Sequence, residues 1–152
     1  MPSLFTILRK QHTQIRALFE RIEKTTTRAP ARRQELFTQV TRLLVSHAHA
    51  EEQVLYNDVK DQKKERPDAL EMIEEHRLAE REVRALSTVD PTTDRWTAMM
   101  KVLQETSEHH FEEEEEKVFP ALERLYAEKQ QEEMGERFLK LEKEKMAKFK
   151  TA

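Results

Sequence analysis

His47-Ala48-His49-Ala50-Glu51-Glu52, followed by Leu55-Tyr56, decides the fold, because the chain writes it twice. The second copy is His110-Phe111-Glu112-Glu113-Glu114-Glu115, followed by Val118-Phe119. Both read His, three residues, Glu-Glu, then an apolar-aromatic pair. One His stands upstream of each copy, His12 by 35 residues and His76 by 34. Residues four apart share one face of an α-helix, one turn above the other. The pattern predicts two helices that each present an imidazole and a carboxylate, and two more that each present an imidazole.

Working outward, the apolar residues recur at helical spacing. The first stripe is Leu4, Leu8, Ile15, Leu18, Phe19 and Ile22, with His12 inside it. The second runs Val40, Leu43, Leu44, then His47 and Glu51, then Val54 and Leu55. The third runs Leu70, Ile73, then His76 and Glu80, then Val83. The fourth runs Met99, Leu103, then His110 and Glu114, then Val118 and Leu122. In each, polar residues occupy positions where the period expects apolar ones. Burying one unpaired polar group costs roughly 2–7 kcal/mol, and a bare carboxylate more. A bound cation is the compensating partner.

The candidate donors are His12, His47, Glu51, His76, Glu80, His110 and Glu114. Imidazole and carboxylate without thiolate suit iron, or manganese, better than a structural zinc. For any one of these His residues, a surface or hydrogen-bonded core imidazole is the more ordinary reading. The coincidence of four in apolar stripes, two with Glu at the same offset, decides for metal. His49 points about 200° away from His47 and is assigned to solvent. His109, about 100° from His110, is the weaker alternative there. Glu52 and Glu115 compete with Glu51 and Glu114 for the inward position.

Proline punctuates the chain. Pro30, Pro67 and Pro91 divide it into four segments, read as helices near 3–27, 31–62, 67–87 and 91–127. Proline suits a first helical turn, where its missing N–H has no partner anyway. Ser3 and the pair Asp90-Pro91 are the expected N-terminal signals. Pro120 should kink or end the fourth helix. Residues 128–152 read as a charged fifth helix with a thin stripe of Met134, Phe138, Leu141 and Phe149, weakened by Gly135. The fold class expected is all-α: an up-down-up-down four-helix bundle over residues 1–127 with an additional C-terminal helix over 128–152.

Composition agrees. A chain of 152 residues with one Gly is long enough for one domain with a real core. Charge is 38% of residues but balanced at a formal −3, which favours solvated helix faces over nucleic-acid binding. The absence of Cys excludes disulfides, thiolate metal sites and a cysteine nucleophile. Ser and Thr lack a His-Asp arrangement, and there is no glycine-rich phosphate loop. Leu4-Phe5-Thr6-Ile7-Leu8 is too short for a signal segment, and no stretch reaches the ~18 apolar residues of a membrane span. A cytoplasmic protein without membrane contact is the expectation.

His, then His-x3-Glu, then His, then His-x3-Glu on four successive helices resembles the hemerythrin-like, or HHE cation-binding, family. The likeness covers roughly residues 1–127. The ferritin-like alternative uses Glu-x-x-His, and no His here has a Glu three residues before it. The resemblance implies two iron ions with an oxo or hydroxo bridge. His12 and His47 would hold one ion, His76 and His110 the other, and Glu51 and Glu114 would bridge them. It also implies a small ligand: O2, hydrogen peroxide or NO. Oxygen-carrying members have two His four apart on the third helix, where this chain has His76 and Glu80. They have Asp five after the last His, where this chain has Glu115, with Glu114 at four. The implied ligands leave about two octahedral positions free, of which Glu80 would take one. An anion in place of an imidazole favours the ferric state. The expectation therefore ranks peroxide chemistry or sensing in a redox or stress response above reversible oxygen carriage. A peroxide-decomposing activity and a metal-responsive regulatory module stand as further options.

Overall fold

The computed structural model describes residues 1–149. Four long helices, α1 (Leu4–Glu23), α2 (Pro30–Glu51), α4 (Arg66–Leu86) and α5 (Asp94–Glu113), form the bundle. Short segments α3 (Asn57–Val59) and α6 (Phe119–Glu123) extend the second and fourth, and α7 (Glu128–Lys148) closes the chain. α1 packs on α2 and α5, and α4 packs on α5 and α2, so the four form a closed ring. α7 lies across α1 and α2. No helix among the described residues is long and apolar enough to cross a membrane.

The ends follow local chemistry. Ser3 Oγ accepts the Thr6 N–H at 3.2 Å and starts α1. Pro30 and Pro67 occupy the first turns of α2 and α4, where a missing N–H costs nothing. The fourth helix begins at Asp94 rather than at Pro91. Thr93 caps it, its hydroxyl accepting the Trp96 N–H at 3.2 Å. Asp90 instead accepts the Thr92 N–H at 2.9 Å and makes a turn before the helix.

Both motif-bearing helices widen where they leave the motif. Glu52–Tyr56 and Glu114–Val118 are π-helical. Such a turn inserts a residue and rotates the later residues by about 100° relative to an unbroken α-helix. Val54, Leu55 and Tyr56 consequently all bury side by side. Pro120 sits just past the second widened turn, in the first turn of α6. It is not the cause, because the first copy widens without a proline.

The core has two dry layers. One gathers Leu4, Phe5, Leu8, Tyr56, Met72 and Phe119. The other gathers Ile15, Phe19, Phe37, Trp96, Leu103 and Phe111. Each fully buried side chain of this size contributes roughly 1.5–3 kcal/mol. The polar residues of the stripes fall between the layers. α7 belongs to the first layer through Met134 and the fully buried Phe138. Gly135 permits this approach. A Cβ there would stand 2.9 Å from the Pro2 carbonyl oxygen and 3.2 Å from the Leu4 nitrogen. The residue that weakens the apolar stripe thus lets α7 seat against the start of α1.

Candidate metal centre

Between the two dry layers lie His12, His47, Glu51, His76, His110 and Glu114, each less than a tenth exposed. Their donor atoms form two overlapping groups. In the first, His12, His47, Glu51 and Glu114 offer atoms all within 4.8 Å of one another. In the second, Glu51, His76, His110 and Glu114 do the same. The two carboxylates are common to both.

All four imidazoles point the same nitrogen inward. Each Nδ1 is engaged from outside: His12 with Glu115 at 2.6 Å, His47 with Gln11 Oε1 at 2.7 Å, His76 with Glu52 at 2.8 Å, His110 with Glu75 at 2.6 Å. An Nδ1–H donating outward leaves the Nε2 lone pair facing in, the tautomer a metal needs. Arg16 in turn donates to Glu115 at 3.0 Å and holds it in place.

Inside, the distances are those of groups lacking a counterpart. His76 Nε2 and His110 Nε2 are 3.2 Å apart, lone pair against lone pair when both rings are neutral. His12 Nε2 and His110 Nε2 stand 3.3 and 3.1 Å from Glu114 Oε1. His76 Nε2 is 3.1 Å and His47 Nε2 3.6 Å from Glu51. His12 Nε2, His47 Nε2, both Glu51 oxygens and Glu114 Oε1 are buried without a hydrogen-bond partner among the described residues. Orphaned buried acceptors of this kind are costly. Two cations would satisfy all of them, so the residues fit a pair of metal ions. Glu114 Oε2 is the exception: it accepts the Tyr56 hydroxyl at 2.5 Å.

In the metal-free chain, protons do part of that work. Burial pulls the His76 imidazole down, but Glu51 and Glu52 outweigh it and leave it raised to about 9. Burial likewise opposes charge on His110 and His12. Glu114 with Glu75 overcomes it at His110, and Glu114 with Glu115 at His12, so both are raised. At His47, burial wins and the imidazole is lowered. Burial pushes the Glu114 carboxyl up, yet His110 and His12 hold it well below the usual carboxylate range.

Of the seven sequence-derived candidates, the structure brings six together. Glu80 lies outside both donor groups and pairs with His49 across α4 and α2. A third carboxylate beside buried Glu51 and Glu114 would add like-charge repulsion, whereas His49 offers a more hydrated partner. His49, assigned to solvent, is half-exposed and held by that pair. His109 is 74% exposed and lies against Glu113. Glu52 and Glu115 do not replace Glu51 and Glu114; they grip the imidazoles from behind. Sequence reasoning missed Gln11, Glu75 and Tyr56. The first two each precede the lone His of their half, so carrying the repeat one residue further would have paired them.

A cavity of about 250 Å³ opens between α2, α4 and α5 and reaches His47, His76 and His110.

A DNA nickase of Nostoc sp. (strain PCC 7120 / SAG 25.82 / UTEX 2576) is 26% identical over 132 residues, which is 87% of this chain and 37% of that protein. The chain thus spans well under half the length of that relative. No solved structure matches the chain. The family model described as the hemerythrin HHE cation binding domain matches residues 3–144, through most of α7. Spanned almost end to end by that model, and with its repeated His and Glu residues gathered in one buried layer, the chain belongs to the hemerythrin HHE cation-binding family.

Proposed function

We propose that the protein holds two iron ions and binds a small oxygen- or nitrogen-based ligand, O2, peroxide or NO, in a redox or stress response. One observation carries this: Glu51 and Glu114 belong to both donor groups, as bridging carboxylates would. His12 and His47 would hold one ion, His76 and His110 the other. Manganese is the alternative ion, since the donors are the same hard and borderline set. When bound, such a pair supplies electrons and open coordination positions.

The chain does the rest. The outer partners fix each ring, and three of the four are carboxylates. Carboxylate partners raise imidazole basicity and so favour the ferric state. They supply the ferric bias that Glu80 does not, and peroxide handling or sensing stays ahead of reversible oxygen carriage. Tyr56 steadies Glu114, and apolar layers flank the donors on two sides. Nicking is not carried over from the relative, because the chain is 26% identical to it and spans 37% of its length.

Metal analysis with an ultraviolet-visible spectrum of aerobically purified protein tests the reading. Two irons per chain with an oxo-to-iron charge-transfer band support it; a colourless protein without transition metal rejects it.

A metal-responsive regulatory role is the second reading. Gln11, which accepts from His47, also faces the buried Glu142 of α7 and lowers its carboxyl against the upward push of burial. A change at the metal would have this route to the last helix. Hydrogen exchange over residues 128–148 tests it: equal protection with and without metal removes it.

A further inference from the structure

The cavity over the centre is far larger than a diatomic ligand or hydrogen peroxide requires. Its volume is about 250 Å³. One water takes roughly 30 Å³ of liquid, and an apolar cavity of about 150 Å³ in another protein stays dry and holds benzene. The space therefore suits a substituted six-membered ring.

Its walls are Leu44, Val45, Ala48, Ala79 and Phe111, and Leu78, 40% exposed, stands at the mouth. Its floor is three of the four inward imidazoles, His47, His76 and His110. Three carboxylates lie along it, Glu75 beside His110, Glu80 beside His49, and Glu105, with His109 at the same rim; no Lys or Arg lines it among the described residues. An anion would meet repulsion at that rim. Ser107 also lines it. Ser107 is 4% exposed, and its buried hydroxyl has no hydrogen-bond partner among the described residues. A buried hydroxyl without a partner, set among apolar side chains, is a recognition group awaiting a polar atom.

We propose that this cavity is a binding site for an uncharged, mainly apolar organic molecule the size of a substituted benzene, carrying one hydroxyl-type group that bonds Ser107. The molecule sits against the His47, His76 and His110 rings, beside the proposed centre. In that respect the inference rests on the metal reading, while the cavity itself does not.

The test is calorimetric titration of the metal-loaded protein with benzyl alcohol, toluene and benzenesulfonate, a weakly coordinating anion of similar size. Metal content is measured on the same sample. Benzyl alcohol is expected to bind with a dissociation constant of about 1 mM or below. Benzenesulfonate should bind at least tenfold more weakly. Ala79→Trp, at a half-buried wall position, should weaken benzyl alcohol tenfold or more while the metal content stays unchanged. Ser107→Ala should erase the preference for benzyl alcohol over toluene. A crystal soaked in benzyl alcohol should show the ring between α2, α4 and α5, whatever the variants do. No binding in titration and crystal, or equal binding of benzenesulfonate, overturns the proposal. Two metals per chain without benzyl alcohol binding sink the cavity reading alone. Binding without metal uptake sinks the metal reading alone.

Discussion

The two halves of the centre are built from the same parts in the same order, and two of their differences touch the inward donors directly. His12, His47, Glu51, Glu52 and Tyr56 correspond to His76, His110, Glu114, Glu115 and Phe119. Gln11 backs His47, where Glu75 backs His110. Tyr56 carries a hydroxyl that Phe119 lacks, and spends it on Glu114 of the other half. The scaffold is thus nearly two-fold, and the electrostatics are not. An amide behind a buried imidazole leaves burial dominant, and His47 is lowered. A carboxylate behind its counterpart helps overcome burial, and His110 is raised. Glu114 at 3.1 Å from His110, against Glu51 at 3.6 Å from His47, and the exchange of Gln for Glu behind the ring act in the same direction.

The hardest break to survive is at the shared carboxylates. Glu51→Ala or Glu114→Ala should cost both ions, because each residue serves both donor groups. His47→Ala touches only one group and should leave about one ion per chain. Metal analysis of the purified variants distinguishes these outcomes. Two ions retained by Glu114→Ala would show that the halves are independent sites rather than one bridged centre.

Acidity should separate the halves next. His76 is raised to about 9 in the metal-free chain, and His110 is raised as well. A raised pKa stabilises the folded chain fully below the ordinary value near 6.5, and the benefit fades as pH climbs through about 9. The melting temperature of metal-free protein should therefore fall between pH 6.5 and 9. Over the same range metal affinity should rise, by up to about tenfold per pH unit from His76 alone, because ions displace its proton. The His12–His47 half has the one imidazole that burial lowers, so fewer protons compete there and it should fill first at low pH. Simultaneous filling of both halves at pH 6 would contradict the asymmetry.

Gln11→Glu and Glu75→Gln exchange the difference itself. Losing a partner of this kind typically costs 10–100-fold in metal affinity. Glu75→Gln should weaken the second half by about tenfold, and Gln11→Glu should strengthen the first. The double exchange should invert the order of filling, read by stepwise calorimetric titration.

How far the sequence carried this picture depends on which interactions are local. Periodicity alone turned His12, His47, His76 and His110 inward, since a helix fixes which residues share a face. The repeat identified Glu51 and Glu114 for the same reason. Glu80 stands apart from the six because spacing places a side chain on a face but not against a neighbour, and His49 on another helix pairs with it. The widened turns after each motif were illegible: neither Gly nor Pro marks the first, and Pro120 offers only a false cause for the second. Asp90 and Thr93 are both good caps, and sequence could not tell which one α5 uses. Gly135 reads as a defect because its reason, the backbone of Pro2 and Leu4, lies more than a hundred residues away.

The smallest expected change completes the comparison by making the halves alike at their other point of difference. Tyr56→Phe copies Phe119 into the first half and removes one hydrogen bond to Glu114. A hydrogen bond to a charged acceptor is worth roughly 1.5–3 kcal/mol. Phe keeps the ring, so the dry layer of Phe5, Leu55 and Phe119 should stay filled. The freed Glu114 oxygen then has no partner unless a metal takes it. Loss of stability should therefore be near the top of that range in metal-free protein and near the bottom in the loaded form. Chemical denaturation of both forms measures the difference. Equal losses would mean that the hydroxyl serves the fold alone, and that the halves differ functionally only through Gln11 and Glu75.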